Sequence, residues 1–234
     1  MAQGRSNRRQ MRSVVDELGA AIARGDYRPG DTLPIEQELA QRLDVGRNAL
    51  REAIKWLSGK GLINSSPRSG TRIRPREEWN MLDPDILRWH ASPDAASEPF
   101  LVQLIELRLL IEPRSAALAA ERASKSELAP ILDAVDRMAA AKSDLSARVE
   151  ADIAFHTAIL RASGNELMSH FRFAVETYLR AHASRAQALD PSEMDEDLAR
   201  HQAIAWAIAA GKSAQAESLS RELLGANLRH VRDR

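Results

Sequence analysis

An aspartate and a histidine lie one helical turn apart in the second half of the chain, at Asp152 and His156. Because side chains at positions i and i+4 share one face of a helix, both can direct a ligand atom at a single divalent cation. A third candidate ligand, His201, belongs to a later helical pattern. The spacing leaves an alternative open, in which His156 and His201 are ordinary hydrogen-bonded histidines of the core or the surface.

A second group of polar side chains opens a helical pattern in the first half of the chain and comprises Arg47, Asn48 and Arg51. Arginine can donate two hydrogen bonds to guanine, asparagine can pair with adenine, and the free N–H groups at a helix start favour a phosphate. These residues therefore suit a DNA groove. A surface helix can also carry basic residues without any such role, so the neighbouring elements have to decide between the two interpretations.

The elements around this group have the pattern of a winged helix-turn-helix. Two short amphipathic helical patterns within residues 33–61 flank a break at residues 44–46, and their apolar stripes can pack on each other. Two strand-like runs, residues 62–64 and 71–74, then enclose a loop rich in turn-forming residues. A hairpin directly after a recognition helix is a wing, which favours the DNA-binding interpretation.

Residues 11–76 resemble the winged-helix domain of the GntR family of bacterial transcription regulators. The similarity lies in the order of the motifs Tyr27-Arg28-Pro29-Gly30, Leu33-Pro34, the run 45–53, Gly61-Leu62-Ile63 and Arg68-Ser69-Gly70-Thr71. The resemblance implies six contacts with operator DNA: from the recognition helix Arg47, Asn48 and Arg51, and from the wing Arg68, Ser69 and Gly70. Many members carry an arginine where this chain has Gln37, which implies that one usual contact is weakened or replaced.

Charge is distributed unevenly along the chain. The 234 residues have no net charge at pH 7, but residues 1–76 contain 15 basic and 8 acidic side chains, which leaves the remainder acidic. A basic N-terminal segment followed by an acidic remainder is typical of a DNA-binding domain joined to a separate sensing domain. The neutral overall charge argues against a non-specific architectural DNA binder.

Cysteine is absent, so the chain can form neither disulfides nor thiolate metal sites, and a reducing compartment is expected. No apolar run is long enough to cross a bilayer, and the first residues lack the apolar segment of a secretory signal. We therefore expect a soluble, cytoplasmic protein.

The sequence predicts a mainly α protein with four segments: a flexible basic tail (1–10), a winged helix-turn-helix domain of three helices and a hairpin (11–76), a linker (77–99) and a helical domain (100–234). The tail could instead be a basic arm that contacts DNA. The linker contains a short helix at 84–90 and is too apolar for a free tether, so we expect it to pack on a domain. An all-α antiparallel bundle of about six helices follows, near 101–122, 126–141, 144–163, 166–189, 193–210 and 213–231.

Residues 100–231 resemble the helical FCD effector domain of the fatty-acid-regulator-like branch of the same family, through the runs 106–113, 119–123, 152–156, 164–165 and 201–211. The resemblance implies one divalent metal ion, such as Zn, Ni or Mn, held by an aspartate and three histidines. Asp152, His156 and His201 match three of these ligands, whereas Leu223 stands at the fourth position. Either water or the effector then completes the coordination shell, or the site binds the effector without a metal.

Arg108 stands among apolar neighbours that should turn it towards the bundle interior. The resemblance implies that it holds an effector carboxylate, whose two oxygens a guanidinium can grip. An ion pair with Glu112, four residues later, explains Arg108 equally well. The run 78–89 resembles the linker of family members that respond to galactonate. We therefore expect a small hydroxy acid such as an aldonate, bound by Arg108, His156 and His201, with another small carboxylate as the alternative.

These patterns favour a homodimeric, ligand-responsive regulator, a repressor of a sugar-acid catabolic operon that the effector releases from its operator. The alternative from another class is a metal-dependent hydrolase that uses Asp152, His156 and His201. The chain contains no HExxH motif, no serine nucleophile elbow and no phosphate-binding glycine loop. We therefore expect no enzymatic activity.

Overall fold

The computed structural model describes residues 2–66, 70–142, 144–185 and 191–232. The chain forms two compact units, the N-terminal unit Met1–Ala95 and the C-terminal unit Ala96–Arg234. The first is a winged helix-turn-helix and the second is helical, which confirms the predicted fold class. No helix in the described ranges has the length and apolar character needed to cross a lipid bilayer.

Three helices and a hairpin make up most of the N-terminal unit: α1 (Ala2–Arg24), α2 (Glu36–Arg42), α3 (Arg47–Gly59), β1 (Ile63–Ser66) and β2 (Gly70–Ile73). The turn between α2 and α3 passes through Asp44, whose φ of 50° is left-handed. Aspartate tolerates this conformation better than most residues. The two strands are antiparallel, with Ile63 opposite Ile73 and Ser66 opposite Gly70.

One face of α3 is buried in the core of the N-terminal unit, and α3 packs on α1. Leu50 and Leu57 are fully buried, and Val15 and Leu18 of α1 belong to the same apolar cluster. Burial of each such side chain stabilises the fold by roughly 1.5–3 kcal/mol. This packing fixes which face of α3 points outwards.

Helix α1 is longer than the sequence predicted. It begins at Ala2, so the segment 2–10 continues α1, whereas residues 1–10 were expected to form a flexible tail. Gly4 is the only strong helix breaker before Gly19, and the first proline is Pro29, so nothing in the chain forces the helix to begin later.

The segment after the wing packs within the N-terminal unit. It contains α4 (Pro84–His90), which packs on α1. The Trp89 ring lies against Gly19 so closely that a Cβ on that glycine would stand 2.5 Å from it. The partly buried ammonium group of Lys60 lies 2.7 Å from Asp83 and 2.9 Å from Asp85. The packing of Trp89 on α1 and the ion pairs of Lys60 therefore hold α4 against the helix-turn-helix.

The C-terminal unit consists of helices: α5 (Glu98–Arg122), α6 (Lys125–Ala141), α7 (Leu145–Ala162), α8 (Glu166–Ser169), α9 (Arg172–Arg185), α10 (Pro191–Ala209) and α11 (Ser213–Arg232). Helix α5 packs against α7, α9, α10 and α11, and α6 packs against α7 and α10. Phe155, Ile159, Ile204 and Leu223 belong to the shared apolar core. This core holds α7 and α10 in the positions from which they present the candidate ligands.

Several helix boundaries differ from the prediction by one to three residues, and the reason is clear for α6 and for the helix expected over 166–189. Helix α6 begins at Lys125 because Ser124 and Glu127 form a reciprocal capping box, so its start lies before Ser126. The single helix expected over 166–189 is divided into α8 and α9. The N–H groups of His170 and Phe171 donate to carbonyls three residues earlier, and this tighter pattern interrupts the α-helical hydrogen bonding.

Candidate metal and effector site, and candidate DNA interface

The three predicted metal ligands lie together inside the C-terminal unit. Asp152 and His156 project from α7, and His201 projects from α10. The Oδ1 atom of Asp152 is 3.2 Å from Nε2 of His156 and 3.3 Å from Nε2 of His201. One ligand atom from each residue lies within 4.8 Å of the others. A single divalent cation can therefore contact all three.

Hydrogen bonds to the remaining ring nitrogens orient both histidines. Nδ1 of His156 donates to Oε2 of Glu112 at 2.5 Å, and Nδ1 of His201 donates to the backbone carbonyl of Asp197 at 2.7 Å. In the neutral tautomer each Nε2 then keeps its lone pair, directed at the cluster. This arrangement is common among metal-binding histidines, because a partner on the far nitrogen fixes both the tautomer and the ring.

The electrostatics of the cluster favour positive charge at its centre. Burial lowers the pKa of His156, but Glu112 and Asp152 outweigh this and raise it to about 9. Burial likewise opposes the charged form of His201, yet Asp152 raises its pKa. Burial raises the pKa of Asp152, but the two histidines more than reverse this and hold it well below its usual value. The carboxylates that stabilise protons on the histidines would also stabilise a metal dication.

Arg108 is buried beside the cluster and pairs with Glu112, as one of the two interpretations of the sequence expected. Its Nε donates to Oε1 of Glu112. Burial raises the pKa of Glu112, but Arg108 and His156 reverse this and lower it to about 2. Glu112 thus contacts both Arg108 and His156. The sequence predicts Glu112 only as a partner for Arg108, since the i+4 spacing says nothing about a contact with α7.

Tyr178 of α9 also belongs to this site, and its role could not be predicted. Its ring centroid lies 4.9 Å from the guanidinium carbon of Arg108, and the residue is fully buried. Burial, countered by Arg108, raises the pKa of its phenol to about 12, so the hydroxyl keeps its proton. A tyrosine on the buried face of a helix gives no periodic signal that separates a ligand contact from core packing.

Four buried polar atoms around the cluster have no hydrogen-bond partner among the described residues: Asp152 Oδ1, His201 Nε2, Arg108 Nη1 and Tyr178 Oη. A buried polar atom without a partner costs roughly 1–3 kcal/mol. Such groups in native proteins mark places where an ion, a ligand or water supplies the missing contact. Two of these four atoms can accept and two can donate, so together they can bind a cation and an anion that has several oxygen atoms.

A cavity of about 340 Å³ reaches this cluster through Asp152 and Tyr178. Its volume is sufficient for a small organic ligand. Arg148 and Arg200 also line it, whereas Arg108 is not part of the described lining. Leu223, at the position expected for a fourth ligand, is buried and offers no donor atom to a metal.

The residues predicted to read DNA are exposed on one face of α3. Arg47, Asn48 and Arg51 point away from the core that buries Leu50. The side chain of Arg51 donates from Nε to Glu36 at 2.9 Å, which draws its guanidinium towards the start of α2. The exposed basic and amide groups therefore lie at the start of α3, the position predicted from the sequence.

The wing is described only in part. Gly70 begins β2 with a φ of 72°, which glycine adopts without strain. Arg68 and Ser69 lie outside the described residues. An additional bridge between Thr32 and Arg72 joins the hairpin to the chain before α2, so the base of the wing is held beside the helix-turn-helix.

Two family descriptions match the chain. Residues 10–73 match "Bacterial regulatory proteins, gntR family", and residues 103–226 match the FCD domain. The galactonate operon transcriptional repressor of Escherichia coli (strain K12) is 34% identical over 221 residues, which cover 94% of this chain and 96% of that protein. The putative L-lactate dehydrogenase operon regulatory protein of the same organism is 31% identical over 87% of this chain and 79% of its own.

A solved structure titled Streptococcus agalactiae GntR has a similar fold. It shares 25% sequence identity and a TM-score of 0.51 over 94% of this chain and 99% of its own. The proteins found by these comparisons are transcription regulators, so the hydrolase interpretation of Asp152, His156 and His201 is wrong. The chain therefore belongs to the gntR family of bacterial regulatory proteins, as a DNA-binding transcription regulator whose second unit is an FCD domain.

Proposed function

We propose that this regulator is a repressor that binds its operator as a homodimer and dissociates when a small hydroxy acid enters the C-terminal unit. The similarity to a galactonate operon repressor favours an aldonate such as galactonate, and the similarity to a putative L-lactate dehydrogenase operon regulator favours the same class of 2-hydroxy acids. A homodimer would present two copies of α3 to the two halves of a near-palindromic operator.

The main observation behind the proposal is that four buried polar atoms without a hydrogen-bond partner surround the candidate metal centre, beside a cavity. Oδ1 of Asp152 and Nε2 of His201 can accept a cation, and Nη1 of Arg108 and Oη of Tyr178 can donate to an anion. A 2-hydroxy acid bound to a metal ion satisfies both kinds of group. Without a ligand, Arg108 Nη1 and Tyr178 Oη would have no partner, and Asp152 Oδ1 would have only the two histidine nitrogens at 3.2 and 3.3 Å.

Asp152, His156 and His201 would hold a divalent metal, with Zn, Ni and Mn as the candidates. Such an ion would supply a Lewis acid to which a carboxylate or hydroxyl oxygen can bind. Three protein ligands leave coordination positions open, and Leu223 cannot fill one. In the proposed complex the effector oxygens, or water before the effector arrives, occupy those positions.

Arg108 would bind the effector carboxylate through Nη1 while Glu112 holds its Nε. The ion pair with Glu112 and effector binding are compatible, because they use different edges of the guanidinium group. The Tyr178 hydroxyl would donate to the same carboxylate. On the DNA side, Arg47, Asn48 and Arg51 would contact the operator from α3, with Arg68, Ser69 and Gly70 from the wing.

Calorimetric titration of the full chain tests this proposal. Elemental analysis of protein purified without chelator should find about one divalent metal per chain, and galactonate should bind the metal-loaded protein. Arg108→Ala should weaken galactonate binding at least about tenfold, since a charge-assisted hydrogen bond from Nη1 to the effector carboxylate is lost. Arg114→Ala is the matched control, because Arg114 lies on the same helix and its side chain is 51% exposed.

Three outcomes would contradict parts of the proposal. Unchanged galactonate affinity in Arg108→Ala would show that Arg108 does not bind the effector. A purified protein that contains no metal, and takes up none in titration, would show that the site does not bind a metal ion. Absence of binding by every 2-hydroxy acid tested would show that the effector belongs to another class of compound.

A further inference from the structure

Most of the charged side chains in the described lining of the cavity already contact another part of the protein. Nη2 of Arg148 donates to Oδ2 of Asp197 at 2.8 Å and to the carbonyl of Met194 at 2.9 Å. Nη2 of Arg200 donates to Oε2 of Glu196 at 3.1 Å. A ligand that used these charged groups would have to compete with the contacts that they already make.

Asn227 of α11 is a polar residue of the lining whose side chain makes no such contact. It is partly exposed and forms no hydrogen bond with any of the residues that the structure describes. It follows Leu223 by four residues, so the two lie on the same face of α11, one helical turn apart. Asp152 and Tyr178, which carry two of the unpartnered buried atoms, line the same cavity. An uncharged amide therefore stands in the wall of the cavity that reaches the candidate metal centre.

We propose that Asn227 is a specificity-determining residue that binds hydroxyl groups in the tail of the effector. The site would then prefer a polyhydroxy acid to a short 2-hydroxy acid. This inference rests on the proposed function, because it assumes that the carboxylate and the 2-hydroxyl group of a small acid bind beside Asp152. The remaining carbon atoms of the acid extend into the cavity that Asn227 lines.

The chemistry of an amide matches that of neighbouring hydroxyl groups. The side-chain oxygen of asparagine accepts hydrogen bonds and its nitrogen donates them, while a hydroxyl group can do both. One amide can therefore accept from one hydroxyl group and donate to the next one along a sugar-acid chain. A methyl group, such as the one that ends lactate, offers neither contact. A site that hydrogen-bonds a hydroxyl group discriminates against ligands that lack it, because its own polar group then loses its partner.

Galactonate and L-lactate are the probes that test the inference. Both are 2-hydroxy acids, but galactonate carries a hydroxyl group on every further carbon atom, whereas lactate ends in a methyl group. Calorimetric titration of the metal-loaded full chain should give an affinity for galactonate at least about tenfold higher than for L-lactate. If L-lactate binds too weakly for direct titration, competition with galactonate measures its affinity.

The variant Asn227→Leu should narrow this preference, because leucine has nearly the size of asparagine but no hydrogen-bonding group. We expect galactonate affinity to fall about three- to tenfold, while L-lactate affinity changes by less than about twofold. Metal affinity should not change, because Asn227 is not one of the proposed ligands. Gln215→Leu is the matched control, because it replaces an exposed amide of the same helix that does not line the cavity. Thermal unfolding checks that both variants fold, and Asn227→Ala takes the place of Asn227→Leu if the latter does not.

The outcomes separate the inference from the proposed function. If L-lactate binds the unaltered protein as tightly as galactonate, or if Asn227→Leu and Gln215→Leu bind galactonate equally well, the inference is overturned while the small-acid effector stands. An equal loss for both acids, or a loss of metal affinity, would also overturn it, because Asn227 would then act on the metal centre and not on hydroxyl groups. If neither these acids nor other 2-hydroxy acids bind, the proposed function fails and the inference fails with it.

Discussion

Oε2 of Glu112 accepts a hydrogen bond from Nδ1 of His156 at 2.5 Å, while Oε1 of the same carboxylate accepts one from Nε of Arg108. A single buried carboxylate of α5 therefore orients both a candidate metal ligand and the candidate anion-binding arginine. In the proposed mechanism this makes Glu112 a positioning residue, which acts on metal and effector through its two neighbours.

The variant Glu112→Gln should weaken metal binding by about 10- to 100-fold, the usual effect of losing such a partner. The amide keeps the size of the side chain but removes the charge that favours the required orientation of His156. Calorimetric titration with the metal found in the purified protein measures this, and thermal unfolding confirms that the variant folds. Glu106→Gln, an exposed change on α5, is the control. Metal affinity equal to that of the control would contradict the positioning role.

Leu223→His should raise metal affinity by about tenfold or more, because it supplies the fourth ligand that the family resemblance places there. The leucine is buried in the apolar cluster that also contains Ile204 of α10, and the imidazole replaces a side chain of similar volume. Leu223→Gln introduces a polar side chain of comparable size that is a poor ligand for these metals. If Leu223→His binds the metal no more tightly than Leu223→Gln does, position 223 does not face the metal centre.

Arg47→Ala and Arg51→Ala should each weaken specific operator binding by about tenfold, which corresponds to the roughly 1–3 kcal/mol of a good arginine–base contact. Both side chains are exposed at the start of α3. Fluorescence anisotropy with labelled operator DNA and with an unrelated duplex separates specific from general binding. Arg24→Ala removes an exposed arginine of α1 and should change neither affinity. If both variants lose the same amount of affinity for the operator and for the unrelated duplex, Arg47 and Arg51 contact only phosphates.

Asp85 should stabilise the N-terminal unit in a pH-dependent manner. Burial raises its pKa, but Lys60, Arg88 and Arg12 outweigh this and lower it. Because the folded pKa lies below the unfolded value of about 3.9, the contribution is complete above that pH and is lost as pH falls through the folded pKa. Asp85→Asn should therefore cost roughly 1–3 kcal/mol near neutral pH.

Urea unfolding followed by tryptophan fluorescence tests this, since Trp56, Trp79 and Trp89 lie in the N-terminal unit. The difference between the original protein and Asp85→Asn should be constant from about pH 5 to pH 8 and shrink below about pH 4. Asp94→Asn, an exposed change, should show no such dependence. A difference that persists undiminished in acid would contradict the ionic origin of the effect.

Local patterns in the sequence were sufficient for much of this structure. The apolar stripe of α3 determined its buried face and hence the exposure of Arg47, and the i+4 spacing placed Asp152 and His156 on one side of α7. Each of these conclusions depends on the geometry of a single helix. The resemblance to a known family then supplied the order of the domains.

Contacts between distant helices could not be predicted in the same way. That Glu112 would contact His156, or that Tyr178 would lie over Arg108, depends on how α5, α7 and α9 pack, and no local spacing encodes it. The capping box at Ser124 could have been found in the sequence, since Ser and Glu stand three residues apart. The length of α1 and the division between α8 and α9 depend on small differences in helix stability that residue patterns do not resolve.

In the proposed mechanism, a small acid bound in the C-terminal unit reduces the affinity of the N-terminal unit for DNA. This requires an effector that binds more tightly to one arrangement of the protein than to the other. Fluorescence anisotropy on labelled DNA from upstream of the gene for this chain measures it directly, with metal-loaded full chain and saturating galactonate. We predict a loss of DNA affinity of about tenfold or more, which disappears in Arg108→Ala. Unchanged DNA affinity, at a galactonate concentration that saturates the protein in calorimetry, would contradict the claim.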